Sequence, residues 1–192
     1  GVREDEPVAV YVGRLAAEKN IDLMTRTWEA FRARHPDAGG KLVLVGDGPE
    51  AANLQKRHPE YIFCGAKRGA DLGRHFASGD IFLFASRTET FGNVVTEALA
   101  SGLVVLAYDY AAPRWFIRDG ENGYLVDYDD EEAFLARGVG ILGNRHAWPA
   151  IRTAAADTGR KLSWKWVLRG FRRDLKEVVG HGQAERLATA AL

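Results

Sequence analysis

The chain has 192 residues, 46% hydrophobic and 27% charged, which suits one well-buried globular domain and sets aside disordered and fibrous classes. Its 26 Lys+Arg balance 26 Asp+Glu for a formal net charge of zero, so nothing global argues for nucleic acid or an anionic membrane surface as partner. A single cysteine, Cys64, excludes an internal disulfide framework and a multi-cysteine zinc site, and points to a reducing cytoplasm.

No apolar run approaches the roughly 20 residues of a membrane-spanning helix, and no signal-peptide pattern opens the chain. Gly1 in place of Met suggests a domain cut from a longer protein. Residues 1–7, with Arg3, Glu4, Asp5, Glu6 and Pro7, read as a polar linker; residues 8–12 are a short β-branched run that reads as a buried strand. That strand ends at Gly13-Arg14-Leu15. Lys19-Asn20 then lead into a helix over 21–34, with Leu23, Met24, Thr27, Trp28 and Phe31 on one face.

The next buried strand is 41–45, closed by Gly46-Asp47-Gly48-Pro49, and Pro49 at a first helical position predicts a helix over 49–56. A third strand at 61–64 ends at Gly65 and is followed by a helix over 69–77. Residues 81–84 form the fourth strand; polar residues 87–93 turn the chain into a helix over 92–100. The fifth strand is 103–107. A turn-rich loop at 109–113, a short helical piece at 114–118, the turn signal Asp119-Gly120-Glu121-Asn122-Gly123 and a sixth strand at 124–126 follow. Three helices remain, at 130–142, 147–158 and 164–179, and the weakly patterned tail 180–192 is expected to fray.

Continuous apolar strands alternating with amphipathic helices need both sheet faces covered, which describes an α/β fold: a doubly wound, Rossmann-like parallel sheet spanning 8–179 as one domain. Ligands bind such sheets beyond the carboxyl ends of the strands. The loops at 13–14, 46–49, 65–68 and 87–93 should therefore share one rim.

Four groups on that rim carry chemistry. Glu89 and Glu97 offer carboxylates on either side of a helix start at Gly92-Asn93, where unpaired backbone N–H groups and the positive end of the helix dipole favour an anionic or hydroxyl-rich ligand. Arg14 and Lys19 supply a bidentate guanidinium and an ammonium suited to a diphosphate. Gly46-Asp47-Gly48-Pro49-Glu50-Ala51 fits G-x-G-x-x-A, which keeps a dinucleotide-dependent oxidoreductase open. That motif belongs after the first strand, with an acidic residue about 20 positions on, and here it follows the second strand with Cys64-Gly65-Ala66 in that place. His35, His58, His75, His146 and His181 lack motif companions and read as surface or capping residues. Cys64 reads as a small core residue, and Trp164 and Trp166 as packing residues.

Taken in order, Gly13-Arg14-Leu15 with Glu18-Lys19-Asn20, then Val45-Gly46-Asp47-Gly48-Pro49, then Ser86-Arg87-Thr88-Glu89-Thr90-Phe91-Gly92-Asn93-Val94 through Glu97-Ala98-Leu99-Ala100-Ser101-Gly102, resemble the C-terminal donor-binding domain of retaining glycosyltransferases of family four, of GT-B architecture. The resemblance runs from residue 8 to about 127 and more loosely to 179.

It implies that Gly13, Arg14 and Lys19 meet the diphosphate of a nucleotide sugar, that Glu89 contacts the transferred sugar and that Glu97 holds the nucleotide ribose. Backbone groups of the loop Thr90, Phe91, Gly92, Asn93 and Val94 would contact sugar and phosphates, and the nucleobase would lie against Gly65, Ala66 and Lys67. Arg14, Lys19 and Glu89 are the implied catalytic residues. The implied reaction moves a hexose from GDP-mannose or a UDP-hexose to a lipid or saccharide acceptor with retention of configuration, without cofactor or metal.

The N-terminal acceptor domain of such enzymes is absent from this chain, so the implied state is a donor-binding half that turns over inefficiently alone. The whole enzyme would sit in the cytoplasm, associated with the inner face of the cell membrane through that domain. Ala111-Ala112-Pro113-Arg114-Trp115 stands where the family often has a Gly-Gly pair and a Glu. A nucleotide-binding interaction module without transfer activity is the reading from a different class.

Overall fold

The computed structural model describes residues 3, 6–89, 92–162, 165 and 168–179. Six parallel strands form one sheet: β1 (Val8–Val12), β2 (Lys41–Val45), β3 (Ile62–Gly65), β4 (Ile81–Phe84), β5 (Val104–Tyr108) and β6 (Tyr124–Val126), in the spatial order β3-β2-β1-β4-β5-β6. Every residue of β4 and β5 is buried. Successive side chains in a strand point to opposite faces, so burial of the whole run means that both faces are covered. The edge strand β3 shows the contrast, with Ile62 exposed.

Chain order reverses between β1 and β4. The first three strands step outward to one edge through α1 (Ile21–Arg34) and α2 (Ala51–Arg57); the chain then returns through α3 (Gly69–Ala77) to the far side of β1 and steps to the other edge through α4 (Asn93–Ala100) and α5 (Ala111–Phe116). The carboxyl ends of β1 and β4 thus splay apart at a topological switch point, where doubly wound sheets open a crevice. The predicted doubly wound fold is the one observed.

The predicted face of α1 is the buried one, with Leu23, Met24, Thr27, Trp28 and Phe31 all inside. It packs on α6 (Glu131–Gly143), where a Cβ on Gly138 would collide with Thr27 Cγ2. The buried Thr27 hydroxyl donates to Leu23 O at 2.8 Å, so this close crossing strands no polar group. On another side of the sheet α7 (Trp148–Lys161) meets α4 through Gly159, whose Cβ would run into the Ala100 backbone.

Several boundaries differ from the sequence expectation. The predicted helix at Pro49 begins at Ala51: its first helical bond runs from Leu54 N–H to Glu50 O at 2.9 Å, while Ala51 N–H closes a tighter turn onto Gly48 O at 3.1 Å and Glu50 N–H donates across to Leu15 O at 3.0 Å. The helix expected at 114–118 spans Ala111–Phe116 and opens with Ala111 at φ 49°. The strand expected at 61–64 is shifted by one residue, while Tyr61 turns its hydroxyl toward Glu29 Oε1 at 3.2 Å. His58 holds the capping place expected of it, its N–H donating to Leu54 O at 2.9 Å at the end of α2, while its ring stacks on Tyr61 with centroids 4.7 Å apart and its Nε2 is buried without a partner among the described residues.

The chain divides into two compact units, residues 1–159 and 160–192. In the second, residues 168–179 are helical, with Leu168, Phe171, Leu175, Val178 and Val179 exposed. Trp164, Trp166 and the tail 180–192 lie outside the described residues, as does much of the linker 1–7. Among the described residues no helix is long and apolar enough to cross a membrane.

Candidate functional site

The β1 and β2 loops are built on one another. Gly13 N–H donates to Val45 O at 3.0 Å and Leu15 N–H to Asp47 O at 2.9 Å, which stacks the Gly13–Leu15 segment directly over Gly46–Gly48. A Cβ on Gly46 would overlap Gly13 O, and one on Gly48 would overlap Leu15 O. Loop-on-loop packing therefore accounts for the two glycines of G-x-G-x-x-A. Beneath them the buried Tyr11 hydroxyl donates to Arg14 O at 2.9 Å, and burial, with Glu89 and Glu18 nearby, pushes its phenol well above the usual range.

Arg14 and Lys19 occupy two ends of this platform. The Arg14 guanidinium reaches into solvent 3.5 Å from Glu18 and helps line a cavity of about 260 Å³ at the ends of the first strands, with Asp47, Ala66 and Lys67. Gly65, at φ 66° with nothing within 4 Å of where a Cβ would stand, leaves the backbone there open to approach.

Lys19 instead points into the switch point. A 3₁₀ turn, Ala17–Lys19, is closed by Asn20 in the left-handed region at φ 48°, a conformation Asn tolerates better than most residues. From it the Lys19 ammonium donates to Glu89 Oε1 at 2.5 Å, Thr88 O at 2.8 Å and Ser86 Oγ at 3.3 Å. Ser86, buried at the end of β4, also donates toward Glu89 Oε1 at 3.1 Å. The cation of one loop and the carboxylate of the other are thus joined where β1 and β4 part.

Gly92, at φ 80°, turns the chain into α4; no side chain among the described residues caps that helix start. A Cβ there would press on Ala112 Cβ at 3.1 Å and carry left-handed strain, which is what calls for glycine, while Glu89 Oε2 at 3.8 Å would be in ordinary contact. Asn93 and Val94 form the first turn, and Glu97 lies one turn further on. The Glu97 carboxylate has no hydrogen-bond or ion-pair partner among the described residues, and desolvation raises it above the usual carboxylate range. Thr90 and Phe91 lie outside the described residues.

Sequence reasoning missed a second network behind these loops. Arg87 donates through Nε to Asp129 Oδ1 at 2.5 Å and through a terminal nitrogen to Glu131 Oε1 at 2.7 Å, and its backbone carbonyl accepts from the Tyr128 hydroxyl at 2.9 Å. Glu131 also accepts from Asn20 Nδ2 at 3.2 Å and from Arg26 at 2.8 Å. These hydrogen bonds, Arg26 foremost and then Asn20, hold its carboxyl below the usual range. No motif spacing links residues 20, 87 and 131. Among the described residues there is no group of three or more His, Cys, Asp or Glu that could hold a metal ion.

A doubly wound α/β domain with its charged loops gathered at the switch point is the class that fold and site define. Residues 6–144 match the sequence profile of glycosyl transferases group 1, and the chain belongs to that family. It is 36% identical over 183 residues to a GDP-mannose-dependent alpha-mannosyltransferase of Mycobacterium tuberculosis, covering 95% of this chain and 44% of that protein. The chain therefore spans less than half the length of this relative.

Among solved structures it is similar to the pneumococcal O-GlcNAc transferase GtfA in complex with UDP and GlcNAc, at TM-score 0.77 and 23% identity over 91% of this chain and 36% of that one. It is also similar to the C-terminal domain of a glycosyl transferase group 1 family protein (LpcC) from Francisella tularensis, at TM-score 0.68 and 21% identity over 82% of this chain and 87% of that one. At these identities the two likenesses establish the fold, and the expected GT-B half is the fold observed.

Proposed function

We propose that residues 8–179 are the donor-binding half of a retaining glycosyltransferase that takes a hexose from a nucleotide-diphosphate sugar and passes it to a lipid or saccharide acceptor held by an N-terminal domain. The observation that carries this reading is the meeting of Lys19 and Glu89 at the switch point, beside the uncapped start of α4 and the unpartnered Glu97. One cation, one sugar-facing carboxylate, free backbone donors and one ribose-facing carboxylate are what such a donor requires.

In this reading the bond from the anomeric carbon to the diphosphate breaks with its electron pair ending on a phosphate oxygen, an acceptor hydroxyl oxygen bonds to the same face of that carbon, and the hydroxyl proton passes to the departing diphosphate. Arg14 and the N–H groups at Gly92 and Asn93 would donate to that developing charge, while Lys19, whose N–H groups are held by Glu89, Thr88 and Ser86, lends its positive field from beside them. Prearranged donors of this kind are often the largest catalytic term, and loss of one costs about 10²-fold or more in rate. Glu89 accepts from sugar hydroxyls, Glu97 from the ribose diol, and the nucleobase lies along Gly65, Ala66 and Lys67 above the cavity that Arg14 lines. Gly13, Thr90, Phe91 and Val94 complete the contact set.

GDP-mannose is the first donor to test, supported by the 36% identical relative that is named for it, with UDP-hexoses as the second. The proposed setting is the cytoplasm, at the inner face of the membrane through the N-terminal domain. Calorimetric titration of the chain with GDP, UDP and their sugars should show binding that Arg14→Ala and Glu97→Ala each weaken. Absence of binding to all of them overturns the proposal; binding without transfer in the full-length protein would leave a nucleotide-binding module.

A further inference from the structure

We propose that Glu131 is a positioning residue for the strand-end site, keeping the turn that carries Lys19 and the loop that carries Glu89 in one register. The inference rests on the donor-binding reading of that site. Glu131 opens α6 and belongs to none of the motifs that define the rim. Its two oxygens nevertheless take three donors from the two loops' surroundings: Asn20 Nδ2 at 3.2 Å and Arg87 at 2.7 Å on Oε1, and Arg26 at 2.8 Å on Oε2.

The placement of those donors gives the contact its meaning. Asn20 directly follows Lys19, and its left-handed backbone closes the turn from which the ammonium projects. Arg87 stands two residues before Glu89. It is pinned on the same side by its own N–H to Glu18 O at 3.1 Å and by Asp129. A single carboxylate therefore touches the residue beside the cation and a residue two positions from the sugar-facing carboxylate.

Its own anchorage is firm: Asp130 caps α6 by accepting from Ala133 N–H at 2.9 Å, and α6 packs on α1. The 2.5 Å contact between Lys19 and Glu89 joins two loops that follow different strands, so its geometry depends on how the two loops are spaced. Charge-assisted hydrogen bonds from two guanidinium groups to one carboxylate supply that constraint.

The test has two arms, both on the chain as it stands. Glu131→Gln keeps the side-chain shape and removes the charge. In the ligand-free protein, amide exchange at Asn20 and Arg87 should accelerate about tenfold, the scale on which residues sharing one network couple, while amides of β1 and β5 keep their protection. Titration with GDP and UDP should give about tenfold weaker binding in Glu131→Gln and no further loss when Glu131→Gln is added to Lys19→Ala.

Unchanged exchange in Glu131→Gln, or losses that add in the double variant, overturns the inference. Should Glu131→Gln not fold, Asn20→Asp removes the Nδ2 donor, keeps a residue that tolerates the left-handed backbone and carries the same expectations. A native chain that binds neither GDP nor UDP would refute the donor reading, and the exchange arm would still decide whether Glu131 sets the loops.

Discussion

Lys19 and Glu89 are 70 residues apart in the chain and 2.5 Å apart in the structure, and each side chain is largely buried, at 17% and 13% exposure. An ammonium has three N–H donors, and Lys19 places them on Glu89, Thr88 and Ser86. The pair is therefore both a structural bond between the β1 and β4 loops and the centre of the proposed donor site.

Removing the cation leaves a mostly buried carboxylate without its counter-charge. Lys19→Ala should lower unfolding stability by about 1–3 kcal/mol in urea titration, and Glu89→Gln added to it should recover part of the loss because no uncompensated charge remains. A Lys19→Ala protein as stable as the parent would show that the pair contributes nothing net.

The glycines of the two stacked loops should separate by mechanism. Gly46→Ala and Gly48→Ala each press a methyl group into backbone oxygens of the β1 loop, whereas Gly65→Ala meets nothing within 4 Å and bears only left-handed strain. Urea denaturation should show losses of about 3 kcal/mol or more for the first two and about 1 kcal/mol for Gly65→Ala. Equal losses at all three positions would contradict the packing account.

Glu97 and Glu131 should titrate in opposite senses. Glu97 is raised above its ordinary 4.5 by desolvation, so its folded form favours the proton; its penalty is absent below that value and grows as pH rises through the raised one. Glu131 is lowered from 4.5 by Arg26 and Asn20, so its contribution is full above that value and is lost as pH falls through the depressed one. Stability measured from pH 3 to 7 should fall less steeply on the acid side in Glu131→Gln and gain on the upward limb in Glu97→Gln. A profile unchanged in either variant would remove that carboxylate from the account.

Asn122 turns the predicted 119–123 bend into a tie between layers. Its buried amide donates to Phe116 O at 3.0 Å and Thr158 Oγ1 at 2.8 Å, and its oxygen accepts from Arg118 N–H at 2.7 Å. Asn122→Ala should cost about 2–3 kcal/mol, because those partners are left short of hydrogen bonds. A loss below about 0.5 kcal/mol in thermal or urea unfolding would mean that water replaces them.

The order of apolar runs and amphipathic helices was enough to determine the α/β class, the strands near their observed bounds and the rim on which the charged loops lie. Strand burial leaves a local signature: β4 and β5 are apolar throughout because both faces are covered. The ordered motifs from Gly13 to Gly102 likewise placed the chain in its family without any knowledge of its folded shape.

What only the tertiary structure decided is who meets whom. Spacing could not show that Gly46 and Gly48 are glycines because Gly13 and Leu15 lie on top of them, nor that the turn before α2 is tied to the β1 loop through Glu50 N–H and Leu15 O. It could not place Arg14 on the cavity and Lys19 on Glu89, or bring Glu131 behind both loops. Contacts within an element repeat at 2 or 3.6 residues and can be read along the chain; contacts between loops at the ends of strands depend on strand order, which carries no period at all.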